Sequence, residues 1–600
     1  MNDSTLAPRP KKDFGELPTW NLTDLYSSPD GADLKAAFKE AERQIDDFVA
    51  VYTDKVSGLD SAAFGAAIAA YEAISELLGR IGSFAQLYHS QNVEDSERGR
   101  FYQNTVDRMT TLSSKTLFFT LAINRLEEDV LDAKLTDPSA AKYKPWLRDL
   151  RVYKDHELSD DLERLLHEKY VSGRGAWTRL FDQTEAAIRC DVNGETVTLT
   201  EALNTLSDSK PERRRAAAKG VGKALGEKAS QFAYITNVLA KDKSIEDGWR
   251  KYAKPVSSRN LANLVEDDVV EALVSASKDS YPTTSHRYYS MKAKWFGKDK
   301  LDYWDRNAPL PSAESRIIKW EEAKTTVLEA YSRFSQRLAE PAAPFFENGW
   351  IDAPASPGKA SGAFAHPTVP SVHPYLLVNY LGSSRDVMTL AHELGHGVHQ
   401  VLAGAQGTLL CDTPLTLAET ASVFGEMLTF RSLLDKEDRP AQRRALLAGK
   451  VEDMLNTVVR QIAFHQFETQ IHDERRDGEI SLDRMCEIWL KVQSDSLGPA
   501  FTFDEEYKYY WTYISHFVHV PFYVYAYAFG DCLVNSLYKV YTEKTVPDFE
   551  DKYIEMLKAG GTKRHKELLA PFGLDASDPA FWARGMETLT GLIDELEEVA

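Results

Sequence analysis

Cysteine is scarce in this 600-residue chain: Cys190, Cys411, Cys486 and Cys532 stand far apart and form no C-x-x-C pair. That spacing excludes a disulfide framework and a zinc ribbon, leaving buried thiols in a reducing compartment as the expectation. Basic charge is also short, with 71 Lys and Arg against 91 Asp and Glu and a formal net charge of -20. No nucleic-acid partner is therefore expected, because neutralising phosphates takes a basic surface. No uncharged apolar run is long enough to span a bilayer, so no membrane partner is expected either. The opening residues, MNDSTLAPRPKKDFGELPTW, lack the apolar stretch of a secretory leader. Asn21-Leu22-Thr23 fits the glycosylation pattern, which carries meaning only in a secreted chain. Internal repeats and low-complexity tracts are missing. These absences lead to the expectation of a cytoplasmic globular protein.

What is present is mostly helical pattern. A hydrophobic content of 43% and a charged content of 27% are ordinary for a globular chain. Its length exceeds what one core usually supports, so two or more lobes are expected. In ADLKAAFKEAERQIDDFVAVY, residues Leu34, Phe38, Ala41, Ile45 and Phe48 step by fours and threes into one apolar stripe. Similar stripes run through 64–88 and 105–131 and predict long antiparallel helices. The first break is IRCDVNGETVTLTEAL, where Ile188, Cys190 and Val192 alternate before Asn193-Gly194. That is a hairpin with a type I′ turn, and it sets the boundary between a helical lobe over 1–195 and a unit over 196–600. Pro and Gly are dense from about 298 to 380, around a helix expected over 313–339 and a short strand at Tyr375–Tyr380. Helices dominate again from 385.

Residues 389–399 read TLAHELGHGVH. Ser383-x-x-Asp386 can cap a helix whose apolar face holds Val387, Leu390, Ala391, Leu394, Val398 and Leu402, with Gly404 as its stop. His392 and His396 lie four apart on one face, so both imidazoles can reach a single zinc ion. Glu393 is rotated about 100° away and can address a water instead of the metal. From composition, H-E-x-x-H arises by chance on the order of a few times in a hundred chains of this length, and burying such a set on an apolar helix is costly. The longer H-E-x-x-H-x-x-G-x-x-H pattern is excluded, because positions 399 and 402 are His399 and Leu402. His399 sits about 10 Å along the axis from His392, too far to share its ion. A third ligand must come from TPLTLAETASVFGEMLTF, where Glu419 and Glu426 share a face. Thr416-x-x-Glu419 also reads as a capping box that needs no metal, so residue chemistry leaves both carboxylates open.

A second candidate segment is YKYYWTYISHFVHVPFYVYAYAFG, residues 507–530. Most of its aromatics read as core. A peptidase, however, needs donors aimed at a developing oxyanion, which Tyr and His can supply.

AHELGHGVH followed by LAETASVFGE resembles the thimet-oligopeptidase and oligoendopeptidase F family of zinc peptidases. PYLLVNYLGSSRDVMTLAHELGH, HFVHVPFYVYAYAFG and LPTWNLTDLY extend the resemblance over nearly the whole chain, closest to the oligoendopeptidase F branch. It implies a mainly α, two-lobed helical zincin with a deep channel and a small β-sheet beside the HExxH helix, residues 196–600 being the catalytic domain. It implies one Zn2+ per chain on His392, His396 and Glu419, with Glu426 supporting a ligand histidine and Glu393 as general base. It further implies oxyanion donors near His516 and Tyr525, with His519 and Tyr523 as substitutes, since Tyr523 and Tyr527 share a helix face that excludes Tyr525. The expected activity is zinc-dependent hydrolysis of internal bonds in short unstructured peptides. Release of C-terminal dipeptides, or peptide binding without catalysis, are the alternatives. Tyr375–Tyr380 is expected to present backbone groups to the peptide, and the loop around PGKASG to contact it. No oligomeric state follows from the sequence.

Overall fold

The computed structural model describes residues 13–310 and 316–599. Residues 1–12, part of the stretch read for a leader, and 313–315, the start of the helix expected to 339, lie outside them. The fold is mainly α, with three small sheets among the described residues.

The apolar stripe read from the first helix, Ala32–Tyr52, is its buried face. It packs on Ser61–Ser90, and their shared core takes in Tyr375 and Leu377 of the sheet. Ser61–Ser90 is, among the described residues, the one helix long and apolar enough to cross a membrane by length and composition. Here Phe64, Ile68, Ile74, Ile81 and Phe84 are buried in that core. The segment 105–131 is not one long helix but is divided among Ser96–Ser114, Leu117–Asn124 and Glu128–Lys134. At the first break, Ser113, Ser114 and Thr116 donate their hydroxyls to carbonyls three residues back. Such local bonds offer the backbone an alternative to the helix ladder.

Arg189–Val192 and Glu195–Thr198 form the expected hairpin, with Val192 opposite Glu195. Asn193 and Gly194 have φ of 57° and 87°, as a type I′ turn requires. Cys190 and Val192 pack into a second core with the 39-residue helix Pro211–Trp249 and the aromatic segment near 507–518. Of the four cysteines, all free, three are buried and Cys411 is half-buried.

The third and largest core surrounds the motif helix Ser384–Ala403, the helix Thr420–Asp435 and the C-terminal helices. Beside them lies a three-stranded sheet with Tyr375–Tyr380 in the middle, parallel to Ile351–Pro354 and antiparallel to Phe364–His366. This corrects the role expected for Tyr375–Tyr380. It is paired with Ile351–Pro354 on one side and, over 375–377, with Phe364–His366 on the other, so it is the middle strand and not the open edge of the sheet. The loop around PGKASG is pinned to the sheet by Lys359, whose buried ammonium donates to the carbonyls of Asp352, Pro354 and Val378 and pairs with the Asp352 carboxylate at 2.6 Å.

The motif helix meets Thr420–Asp435 more closely than side chains would allow. A Cβ on Gly395 would lie 2.5 Å from both the Ala421 carbonyl oxygen and the Ser422 Cα. These are backbone atoms and cannot swing aside. Gly395→Ala is therefore expected to cost about 1–3 kcal/mol of stability, read as a lower denaturant midpoint. An unchanged midpoint would show that the helices have room to part.

Candidate metal centre

The capping box at Ser383 is formed: its hydroxyl accepts the Asp386 N–H, while the Asp386 carboxylate accepts the Ser383 N–H at 2.8 Å. From that start Val387, Leu390, Ala391, Leu394 and Val398 are fully buried and hold the helix against the core. Gly404 is the C-cap but stays right-handed (φ -55°); the left-handed glycine is Gly407, after one further turn. His392 and His396 project from the remaining face, with ring centroids 4.9 Å apart and planes at 82°. The Tyr331 hydroxyl donates to the Ala391 carbonyl at 2.6 Å, behind His392.

Glu419 lies between the turn Leu415–Ala418 and the helix Thr420–Asp435. It takes no part in the capping box expected with Thr416, whose hydroxyl donates instead to the Asn263 carbonyl. Its Oε2 accepts from the Ser422 hydroxyl at 2.6 Å and stands 3.4 Å from His392 Nε2 and 3.5 Å from His396 Nε2. Gly530 makes room for it, since a Cβ there would lie 2.8 Å from Glu419 Cγ. One donor atom from each of His392, His396 and Glu419 falls within 4.8 Å of the others, a grouping able to hold a metal ion. Glu426, two helical turns on, faces the other nitrogen of His392, with Oε2 at 3.2 Å from Nδ1. Its Oε1 accepts from the buried Lys450 ammonium at 2.6 Å. The two carboxylates thus divide the imidazole, Glu419 on the metal-facing side and Glu426 behind it.

Burial and charge compete throughout the cluster. Burial would raise the Glu426 carboxyl, but the Lys450 charge and the His392 contact hold it down at about 2. Burial opposes protonation of His392, yet Glu426 and Glu419 raise it to about 9. His396 is driven down to about 4 by burial. Burial also pushes Glu393 up to about 7, against the pull of His392. The Ala365 N–H of the edge strand Phe364–His366 also pulls the Glu393 carboxyl down, and Glu393 lines the cleft beside His392 and Glu419. His399 stays outside the group, buried and held at about 4, with Nε2 3.3 Å from the Thr413 hydroxyl.

The cleft is about 400 Å³, and Tyr523 and Tyr527 form part of its wall together with Glu393 and Glu419. His516 Nε2 is 3.3 Å from the Tyr527 hydroxyl. Tyr525 is elsewhere, which corrects its expected role. It is fully buried, its hydroxyl accepts from Asn263 Nδ2 at 2.8 Å, and its ring packs on His465. His519 is likewise turned away, paired with Asp182 at 2.7 Å. The cause is local: Phe522 reverses the chain at φ 61° after Pro521, and a new helix begins at Tyr525. Tyr523 and Tyr527, four apart, then share one side, and Tyr525 points from the other. Tyr527 was not among the residues favoured from sequence, although its spacing from Tyr523 was the available signal.

The sequence profile described as "Peptidase family M3" matches residues 205–588, and that of "Oligopeptidase F" matches 123–189. The chain is 26% identical to Oligopeptidase PepF of Bacillus subtilis, over 97% of this chain and 87% of that protein. It is 24% identical to an oligoendopeptidase F homolog of Lactococcus lactis, over 98% of each. Among solved structures, oligoendopeptidase-F from Enterococcus faecium superposes with a TM-score of 0.69 at 21% identity, covering 94% of this chain and 97% of that one.

Titration with Zn2+ is expected to load one ion per chain. Glu419→Gln should abolish tight binding, whereas Glu426→Gln should weaken it about 10–100-fold by loosening His392. Competition with a chromophoric chelator measures both. Wild-type affinity in the Glu426 variant would mean that His392 needs no support from behind.

Proposed function

The chain belongs to peptidase family M3, the metallo-oligopeptidases, and from that premise we propose that it is a zinc-dependent oligoendopeptidase cutting internal bonds of short, unstructured peptides. The observation that carries this reading is the convergence of His392, His396 and Glu419 donors beside Glu393 in one cleft. Two imidazole nitrogens and one carboxylate oxygen suit Zn2+ and leave a coordination position open, as a catalytic site requires. Zinc, when bound, supplies a Lewis acid for the scissile carbonyl and lowers the pKa of a water molecule.

The remaining work falls to this chain's own side chains. Glu393, lining the cleft beside His392 and Glu419, takes a proton from the attacking water and returns it to the leaving amine. Tyr523 and Tyr527 line the cleft, with His516 against the Tyr527 hydroxyl, and in this reading they donate together to the developing oxyanion. The edge strand Phe364–His366, next to Glu393, offers backbone groups to an extended peptide in the strand-addition mode. Such pairing favours flexible segments, because a folded protein has its backbone already bonded.

Cleavage of a short internally quenched peptide by zinc-loaded protein tests the reading. Glu393→Gln is expected to lower kcat by at least about 10²-fold with zinc retained, and product masses should report internal cuts. Tyr523→Phe with Tyr527→Phe should lower kcat by about 10²-fold and leave KM nearly unchanged. Zinc-loaded wild type without turnover on any unstructured peptide would sink the proposal.

A further inference from the structure

The turn that aims Tyr523 and Tyr527 is held from behind by a group outside the cleft. Phe522 sits in the left-handed region at φ 61°, a conformation that costs a bulky residue dearly unless its surroundings enforce it. Its ring is fully buried against His465 and His472, with centroids 5.9 and 4.9 Å away. The reversal takes the backbone on either side of the Pro521–Phe522 bond out of any helix ladder, and side chains satisfy it. The Pro521 carbonyl accepts from Arg259 Nε at 3.2 Å, and the Phe522 N–H donates to Glu468 Oε1 at 2.8 Å. Just beyond, the Tyr523 N–H bonds to the Val520 carbonyl and the Ala526 N–H to the Tyr523 carbonyl. The tyrosines are therefore tied to the turn through backbone bonds.

Glu468 lies in the helix Val459–Asp477 and is 2% exposed. Its Oε2 finds no hydrogen-bond partner among the described residues. Burial pushes its carboxyl up to about 8, against the N–H of Phe522 and the charges of Arg259 and Lys243, so it keeps its proton at neutral pH. A buried carboxyl with a single bond is poor packing material, since an apolar side chain of similar size would avoid the desolvation cost. The single bond is made to the strained residue.

We propose that Glu468 is a positioning residue for peptide hydrolysis: its carboxyl holds Phe522 in the left-handed turn that sets the Tyr523 and Tyr527 hydroxyls beside the metal centre. This rests on the reading of those hydroxyls as oxyanion donors. It assigns Glu468 no contact with substrate.

The test compares kcat and KM of zinc-loaded full-length variants on the quenched peptide. Glu468→Gln keeps a neutral acceptor and should stay within about twofold of wild type in kcat, whereas Glu468→Met should lose about tenfold or more at nearly constant KM. Adding Glu468→Met to the Tyr523→Phe, Tyr527→Phe pair should cost nothing further, because the hydroxyls it positions are already gone. A merely structural role would not produce that non-additivity. Should the methionine variant fail to fold, Glu468→Asp, one methylene shorter, draws the acceptor away from the Phe522 N–H and should show the same kcat loss. Wild-type kcat in the methionine or aspartate variant, equal losses in the glutamine and methionine variants, or additive losses would overturn the proposal. If the tyrosine pair loses kcat and Glu468→Met does not, only the role of Glu468 falls. If the tyrosine pair keeps kcat, the reading of the hydroxyls falls, and the role of Glu468 with it.

Discussion

The near-contact of two helices at Gly395 is the constraint on which the metal centre depends. With hydrogen in place of a side chain, the motif helix rests on the backbone of Ala421 and Ser422. That approach brings two carboxylates, Glu426 of the neighbouring helix and Glu419 just before its start, to opposite sides of one imidazole, 3.4 Å from Nε2 (Glu419) and 3.2 Å from Nδ1 (Glu426). A bulkier residue at 395 would separate the elements and lengthen both distances at once. The same economy recurs at Gly530, where the absence of a Cβ leaves Glu419 its place.

Packing so many ionisable groups together is costly, and the structure offsets the cost by pairing them in sequence. Lys450, buried, neutralises Glu426; Glu426 meets His392; His392 faces Glu419. Asp531, completing the wall of the cleft, is pushed up to about 7 by burial, with Lys450 pulling it down, and adds less negative charge than its formula suggests. A metal cation would take its place at the end of this chain, next to Glu419, where negative charge remains to be matched. The cluster is thus poised for a cation without an excess of unpaired buried charge.

Features governed by local spacing were legible in the sequence. The motif helix with its Ser383–Asp386 cap, the stripe from Leu34 to Phe48 and the Asn193-Gly194 turn each depend on residues a few positions apart. The Glu419–Glu426 spacing announced a shared face, though not which carboxylate lay on which side of His392. Features governed by distant partners were not legible. Whether Tyr375–Tyr380 is central or an edge depends on the order in which three separated segments pair. Thr416 abandons its cap because Asn263, far away in sequence, offers a carbonyl. Tyr525 and Tyr527 differ in fate because a single residue, Phe522, adopts a conformation that no propensity assigns to phenylalanine.

That last case shows how the aromatic segment acquires its direction. Tyr523, Tyr525 and Tyr527 alternate with Val524 and Ala526, so composition cannot select which tyrosine lines the cleft; only the backbone path can. That path is set by the break between His516–His519 and Tyr525–Glu543, and the break is stabilised by groups from two other helices acting on Pro521 and Phe522. A helix running straight through would return His516 and Tyr527 to nearly the same face but leave them about 16 Å apart along its axis. Because the left-handed residue Phe522 folds the chain back between them, His516 Nε2 and the Tyr527 hydroxyl come within 3.3 Å. The strain at Phe522 is therefore the means by which the short helix His516–His519 and the 19-residue helix Tyr525–Glu543 bring His516, Tyr523 and Tyr527 together at the wall of the cleft.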